Sequence, residues 1–233
     1  MVESKRTRRR LLHTSDLHLV SIDDGDCSNL EATVNLAIRL DVDLVIIAGD
    51  LFDRSRVDDS LVVFVVEQLR RLSASVLILP GNHDCLTPNS VYERDELWAN
   101  CSNTRIFRSP LGEVIDLPGL GVSVWGKSID GESEVFPLAG IPQPERNGLW
   151  HIAVAHGYYV GGGYPFSPSY HITREEIATP GWDYIALGHL PTFHSVSVEP
   201  VKAYYSGSPI QYGTVAIVEL DDEAGVQVTP YSI

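Results

Sequence analysis

Cysteine is scarce in this 233-residue chain: Cys27, Cys85 and Cys101 are odd in number and show no CxxC spacing. That argues against a disulfide framework and against structural zinc, and it makes a reducing cytoplasm the expected compartment. Long apolar runs are missing as well. Nothing approaches the roughly 18 consecutive apolar residues of a membrane span, and no secretory apolar segment follows the N-terminal charges, so no membrane partner is expected. Basic residues are few, 17 Lys and Arg against 31 Asp and Glu, giving a net charge of −14. They are also unevenly spread, since residues 1–10 hold five of them (Lys5, Arg6, Arg8, Arg9, Arg10). The acidic remainder repels long polyphosphates, because duplex binding needs clustered Lys and Arg, and nucleic acid is a disfavoured partner. Residues 1–9 read as a basic, disordered tail that either touches nucleic acid or simply frays into solvent. There is no internal repeat and no low-complexity segment.

What remains is an ordinary globular composition, 44% hydrophobic and 21% charged, with enough residues to bury a large core. The organising stretch is Val42 to Asp53. Within it Leu44 to Ile47 is a continuous apolar run that closes on Ala48-Gly49-Asp50. A short β-branched run of this kind reads as a strand buried on both faces. Gly49 turns the backbone out of the sheet and sets Asp50 at the carboxyl end of the strand, the edge where open α/β sheets bind ligands. Asp50 there either caps the helix that follows or helps to hold a cation.

Taken in order, Arg10 to Ser15 reads as a first strand. A helix follows near Asn29 to Leu40, with Leu30, Val34, Ala37 and Ile38 on one face. A second helix near Asp59 to Leu72 carries Leu61, Val65, Val66 and Leu69 as its stripe, and Ser75 to Leu79 is a third buried strand. This β-α-β-α-β order implies a parallel sheet with right-handed crossovers. Beyond residue 85 come short strands at Asn103–Phe107, Glu113–Asp116, Gly121–Trp125, Leu149–Ala155, Tyr184–Leu187, Thr214–Leu220 and Gly225–Pro230. A Gly- and Tyr-rich loop runs from Tyr158 to Tyr170, with a short helix near Thr173–Ile177. Residues 10–233 therefore form one α/β domain of two packed sheets with outer helices.

Five strands end in polar groups of one chemical kind: Asp16 and His18, Asp50, Asn82-His83-Asp84, His156-Gly157, and Gly188-His189. A lone Asp-x-His is usually a helix cap beside a surface imidazole, but such groups are costly to gather and bury without a metal. Imidazole, carboxylate and an Asn carbonyl, with no thiolate, suit Mn, Fe or Zn.

This motif set, spread from about residue 10 to 220, resembles that of the calcineurin-like metallophosphoesterases. Within them, Gly49-Asp50-Leu51-Phe52-Asp53, Asp183 to Leu190 and Tyr205-Ser206-Gly207-Ser208-Pro209 look most like the nuclease subunit of the bacterial double-strand-break repair complex. The resemblance implies a four-layer α-β-β-α sandwich of two mixed sheets and a centre of two divalent ions. Asp50 would bridge the ions, Asp16 and His18 would hold the first, and Asn82, His156 and His189 the second. His83 would lie beside the scissile phosphate, with Asp84 orienting it by accepting its ring N–H. One departure stands out: the family pattern ends Gly-His-x-His, whereas here Gly188-His189-Leu190 is followed by Pro191. The first ion is therefore expected to bind weakly, with His194 as a possible substitute ligand. Arg54, Arg56 and Tyr158 are candidate substrate contacts or ordinary surface residues.

The expected activity is hydrolysis of a phosphate ester, a phosphodiester of a small or flexible compound, by a metal-activated water. The alternatives are a DNA exonuclease or endonuclease of the repair type and a non-catalytic binding module on the same fold. The acidic body weighs against the nuclease, as does the short chain after the last motif, which leaves no room for a DNA-capping domain.

Overall fold

The computed structural model describes residues 6–23, 25–131, 136–145, 148–161 and 170–233. Most of the Gly- and Tyr-rich stretch, including Gly162 and Gly163, lies outside the described residues. Twelve strands form two six-stranded sheets. The chain runs β1 (Arg9–Thr14), α1 (Cys27–Arg39), β2 (Leu44–Ala48), α2 (Asp59–Leu69), β3 (Ser75–Leu79), a one-turn α3 (Asp95–Trp98), then β4 (Thr104–Ile106), β5 (Glu113–Leu117) and β6 (Val122–Gly126). It continues through β7 (Trp150–His156), β8 (Tyr158–Tyr159), β9 (His171–Ile172), a one-turn α4 (Arg174–Ile177), β10 (Tyr184–Gly188), β11 (Phe193–Ser195) and β12 (Lys202–Ser206). A one-turn α5 (Pro209–Tyr212), β13 (Thr214–Asp221) and β14 (Gly225–Ser232) close it.

The first sheet has the order β14-β13-β1-β2-β3-β4, with β1 to β4 parallel and β13 antiparallel to β1. The second has the order β11-β12-β10-β7-β6-β5, with a parallel centre and two antiparallel edges. Alternation along β2 explains how the sheets stack. Leu44 and Ile46 enter the core between the sheets, facing Ile152, Val154 and Ala186, while Val45 and Ile47 pack under α1 and α2 with Val34, Val65 and Leu69. All five β2 residues are buried, as expected of a strand covered on both faces. A third cluster (Trp125, Ile185, Tyr205, Ile177 and Trp182 among others) covers the outer face of the second sheet, where the fourth layer is thin and made of α4 and connecting chain.

The same period of two carries polar groups across the interface. Leu11, His13 and Ser15 point to the second sheet; His13 Nδ1 lies 2.8 Å from the Tyr184 hydroxyl and Ser15 Oγ 3.0 Å from Ser206 Oγ, all buried. Two expectations need correction. Ile38 is 46% exposed, because the buried face of α1 runs through Leu30, Thr33, Val34, Leu36 and Ala37. The described part of the basic tail also has partners. Arg6 pairs with Asp183 and Asp222 and stacks 3.5 Å over the Trp150 ring, and β1 already begins at Arg9, so the boundary after residue 9 does not separate tail from body. Among the described residues no helix is long and apolar enough to cross a membrane.

Candidate metal centre

The carboxyl ends of β1, β2 and β3 in one sheet and of β7, β10 and β12 in the other meet at one edge of the sandwich. The turns after β1 and β2 run side by side: Asp16 N–H donates to the Gly49 carbonyl at 3.1 Å and His18 N–H to the Asp50 carbonyl at 3.0 Å. From β12, Ser208 Oγ donates to the Asp16 carbonyl at 2.8 Å, so the Ser206-Gly207-Ser208 turn props the Asp16 loop. Asp16, His18, Asp50 and His189 all have positive φ (55°, 44°, 53° and 97°). Strain in such residues costs on the order of 1–3 kcal/mol each and persists where surrounding structure enforces it, commonly at functional sites. Two glycines make the crowding possible. A Cβ on Gly49 would stand 2.1 Å from His156 Nδ1, and one on Gly81 would stand 2.1 Å from Asp50 Oδ1.

One group of side chains converges around His156. Its Nδ1 lies 2.8 Å from the Ala48 carbonyl, which can only accept, so Nδ1 carries the hydrogen and donates. Its Nε2 then faces Asn82 Oδ1 at 2.9 Å and Asp50 Oδ2 at 3.1 Å, with His189 Nδ1 at 3.1 Å. His189 Nδ1 is also 2.9 Å from Asn82 Oδ1. Four potential ligand atoms thus crowd together, an arrangement that a positive charge at its centre would hold. A proton can fill that role. Burial pulls the His156 imidazole down, but the charge and hydrogen bond of Asp50, together with Asp16 and the Ala48 carbonyl, raise it to about 9. Asp50, which burial alone would raise, is held at about 2, chiefly by His156. Burial and the neighbouring His156 push His189 down to about 4.

A second group shares Asp50: His18 Nε2 is 3.8 Å from Asp50 Oδ2 and 3.9 Å from Asp16 Oδ1. Asp16, His18 and Asp50 each offer a ligand atom within 4.8 Å of the others, as do Asp50, His156 and His189. His83 stands at the mouth. Its backbone N–H is tied to Asp50 Oδ1 at 2.9 Å, and its ring is perpendicular to that of His18 with centroids 4.6 Å apart.

The expected Asp84–His83 hydrogen bond is replaced by another arrangement. Asp84 is fully buried and turned inward, where it accepts from Gly81 N–H at 2.7 Å, from Phe52 N–H at 3.1 Å and from the Tyr92 hydroxyl. Burial and nearby Asp50 nonetheless raise it to about 6. The His83 ring turns instead to Asp53, with Nδ1 3.1 Å from its carbonyl and 3.8 Å from Oδ1. Asp53 Oδ1 is also 3.6 Å from His18 Nδ1, so His18, Asp53 and His83 form a third group. Asp53 received no role from sequence, although it closes the Gly49 to Asp53 motif. His194 is a further correction. It lies on β11 opposite Tyr205, is exposed, and joins none of these groups among the described residues. Arg54 and Arg56 are exposed, beside a groove of about 380 Å³ also lined by Val20, Ser21, Val57 and Asp58. Arg56 donates to the Pro88 carbonyl at 3.1 Å.

With this geometry in hand, the comparisons with known proteins agree. The sequence model of the calcineurin-like phosphoesterase family matches residues 9–193. The chain belongs to that family. Among curated proteins it is similar to the uncharacterized metallophosphoesterase YhaO of Bacillus subtilis (strain 168), at 27% identity over 84% of this chain and 52% of YhaO. The chain thus spans about half the length of that relative. Among solved structures, TT1561 of Thermus thermophilus superimposes with a TM-score of 0.64 at 15% identity, covering 97% of this chain and 99% of the other. A novel archaeal phosphodiesterase gives 0.53 at 14% identity, covering 96% and 99%. At such identities these two show the fold.

Family membership implies divalent metal ions, and the residues present fit them. The donor set of imidazole, carboxylate and amide oxygen is one that divalent cations take, and four such atoms converge around His156. His189 Nε2 is buried and has no hydrogen-bond partner among the described residues, a polar atom that the described side chains leave unsatisfied.

Proposed function

We infer that the chain is a metal-dependent phosphodiesterase working at a centre of two divalent cations. The observation that carries this is the sharing of Asp50: its Oδ2 lies 3.1 Å from His156 Nε2 and 3.8 Å from His18 Nε2, so one buried carboxylate joins both candidate ligand groups. Asp16 and His18 would hold one cation with Asp50; Asn82, His156 and His189 would hold the other. When bound, such a pair of cations neutralises phosphate oxygens and makes water a nucleophile at neutral pH.

The chain's own residues do the rest. Asp50 is kept ionised by its neighbours and is therefore ready to take a cation. His83, with a side chain 45% exposed, hydrogen-bonds the Asp53 carbonyl through Nδ1 and so presents Nε2 to a phosphate at the mouth. Protonated, it can donate to a phosphate oxygen or to the departing alkoxide. Asp84 acts further back, as the buried acceptor that fixes the Gly81 and Phe52 backbone around Asp50.

Hydrolysis of bis-p-nitrophenyl phosphate by manganese-loaded protein, with loss of activity in Asp50→Asn, tests this reading; equal rates in the two proteins would overturn it. The monoester and a labelled oligonucleotide in the same assay separate diesterase, monoesterase and nuclease. The nuclease reading draws on the Tyr205-to-Pro209 segment, whose Ser208 contacts the Asp16 loop.

A further inference from the structure

We propose that Tyr158, backed by Tyr170, is an aromatic shelf that receives the base of a nucleotide, making the substrate a nucleotide phosphodiester rather than a simple alkyl ester. This rests on the phosphodiesterase reading and names its substrate class. Tyr158 follows His156-Gly157 directly. Its ring stands perpendicular to that of His189 with centroids only 4.0 Å apart, yet the residue stays 41% exposed. Tyr170 lies nearly parallel to His189, at 26° and 6.0 Å. His189 thus sits in a corner of two tyrosine rings, one side chain away from the lone pairs at the metal centre. In a nucleotide the base likewise hangs one sugar away from the phosphate.

The shelf is built rather than draped. Tyr158 N–H donates to the Tyr170 carbonyl at 2.6 Å, and Tyr159 N–H donates to the Tyr205 hydroxyl at 2.8 Å. That hydroxyl in turn donates to the Gly157 carbonyl at 2.8 Å. β8 and β9 pair in parallel here, and a Cβ on Gly157 would stand 2.4 Å from the Tyr170 carbonyl oxygen, so only glycine lets the strands close. Tyr170 itself holds a positive φ of 67°. Strain, a close-packed glycine and a buried hydroxyl all serve to fix one exposed ring beside a polar centre. A fixed aromatic face loses little entropy when a flat ring stacks on it, and base stacking tolerates any of the bases. The chain's net charge of −14 favours a single nucleotide unit over a long polyanion.

The test uses the manganese-loaded chain and 2-aminopurine riboside 5′-monophosphate, whose fluorescence falls on stacking, displaced by AMP or by ribose 5-phosphate. Wild type should prefer AMP over ribose 5-phosphate by about 10-fold or more. Tyr158→Leu should lose about 10-fold of that preference, Tyr158→Phe should keep it, and Tyr158→Trp should enlarge it. Equal affinity for the two ligands in wild type, or a preference that ignores the Leu, Phe and Trp series, overturns the shelf. So does an equal weakening of both ligands in Tyr158→Leu, which would mark Tyr158 as a support for His189 alone. Base preference without hydrolysis of any ester would instead overturn the phosphodiesterase reading and leave the shelf standing. Hydrolysis without base preference does the reverse.

Discussion

The Ala48 carbonyl takes the Nδ1 hydrogen of His156 at 2.8 Å and thereby commits Nε2 to the metal centre. With no metal, that Nε2 holds a proton between Asp50 and Asn82, since Asp50, together with Asp16 and the Ala48 carbonyl, raises the imidazole to about 9 against the pull of burial. A cation entering there must displace this proton. Metal binding to the group containing His156 should therefore release about one proton below pH 9, and affinity should rise by about tenfold per pH unit toward that value. Calorimetric manganese titrations in buffers of different ionisation enthalpy measure the release directly; a pH-independent affinity between pH 6 and 8 would contradict the assignment.

The two ligand groups are unequal. The second has two imidazoles and an amide oxygen besides Asp50, while the first has Asp16 and His18, with Pro191 where the family pattern has another imidazole. Manganese titration of wild type should resolve a strong and a weak site. Pro191→His should strengthen the weak one by roughly 10–100-fold, in the range that ligand support is worth elsewhere. The Pro191 carbonyl accepts from Ser208 N–H at 2.8 Å, a backbone contact the substitution leaves in place. Equal affinities in both proteins would show that the missing imidazole is of no consequence.

Asp53 and Asp84 should behave in opposite ways when each is changed to Asn. Asp84 is buried and accepts from three donors; an amide turns an NH2 toward one of them, at a cost of about 1–3 kcal/mol. Asp84→Asn should lower the urea midpoint markedly. Asp53 is partly exposed and supports His83 and His18 at 3.6–3.8 Å, so Asp53→Asn should leave the midpoint nearly unchanged and lower kcat by about 10²-fold or more. The reverse pattern would restore Asp84 as the partner of His83.

That exchange shows where sequence was legible and where it was not. The β1-α1-β2-α2-β3 order and the gathering of Asp16, His18, Asp50, Asn82, His156 and His189 followed from buried runs that stop at polar residues, because period and burial are local properties of the chain. The partner of His83 was not local. Asp84 is its neighbour in sequence, but the turn after β3 sends the two side chains to opposite sides, and Asp53 arrives from the turn after β2. β11 and β12 were missed for a related reason. Phe193–Ser195 is a three-residue edge, and Lys202–Ser206 is hemmed between Pro200 and Gly207 with Lys202 and Tyr204 only half-buried. His194 looked available from its spacing alone, but pairing with Tyr205 on β12 leaves it exposed and away from the centre.

His13 links the sheets and makes stability fall in mild acid. It is fully buried against Tyr184, and burial pushes it down to about 3. An unfolded His titrates near 6.5. Above about pH 6.5 both states are neutral here and the residue adds no pH dependence. As pH falls from about 6.5 toward 3, the unfolded chain binds a proton that the native chain refuses, so folding stability drops. Between pH 7 and pH 5 the loss from this one residue is about 2 kcal/mol. Urea unfolding in the presence of chelator, at both pH values, measures it. His13→Asn can still hydrogen-bond Tyr184 but cannot titrate, so its stability should fall by about 2 kcal/mol less than wild type over that interval. Identical slopes in the two proteins would mean that the imidazole is protonated in the folded chain, and that the buried pair with Tyr184 is not neutral.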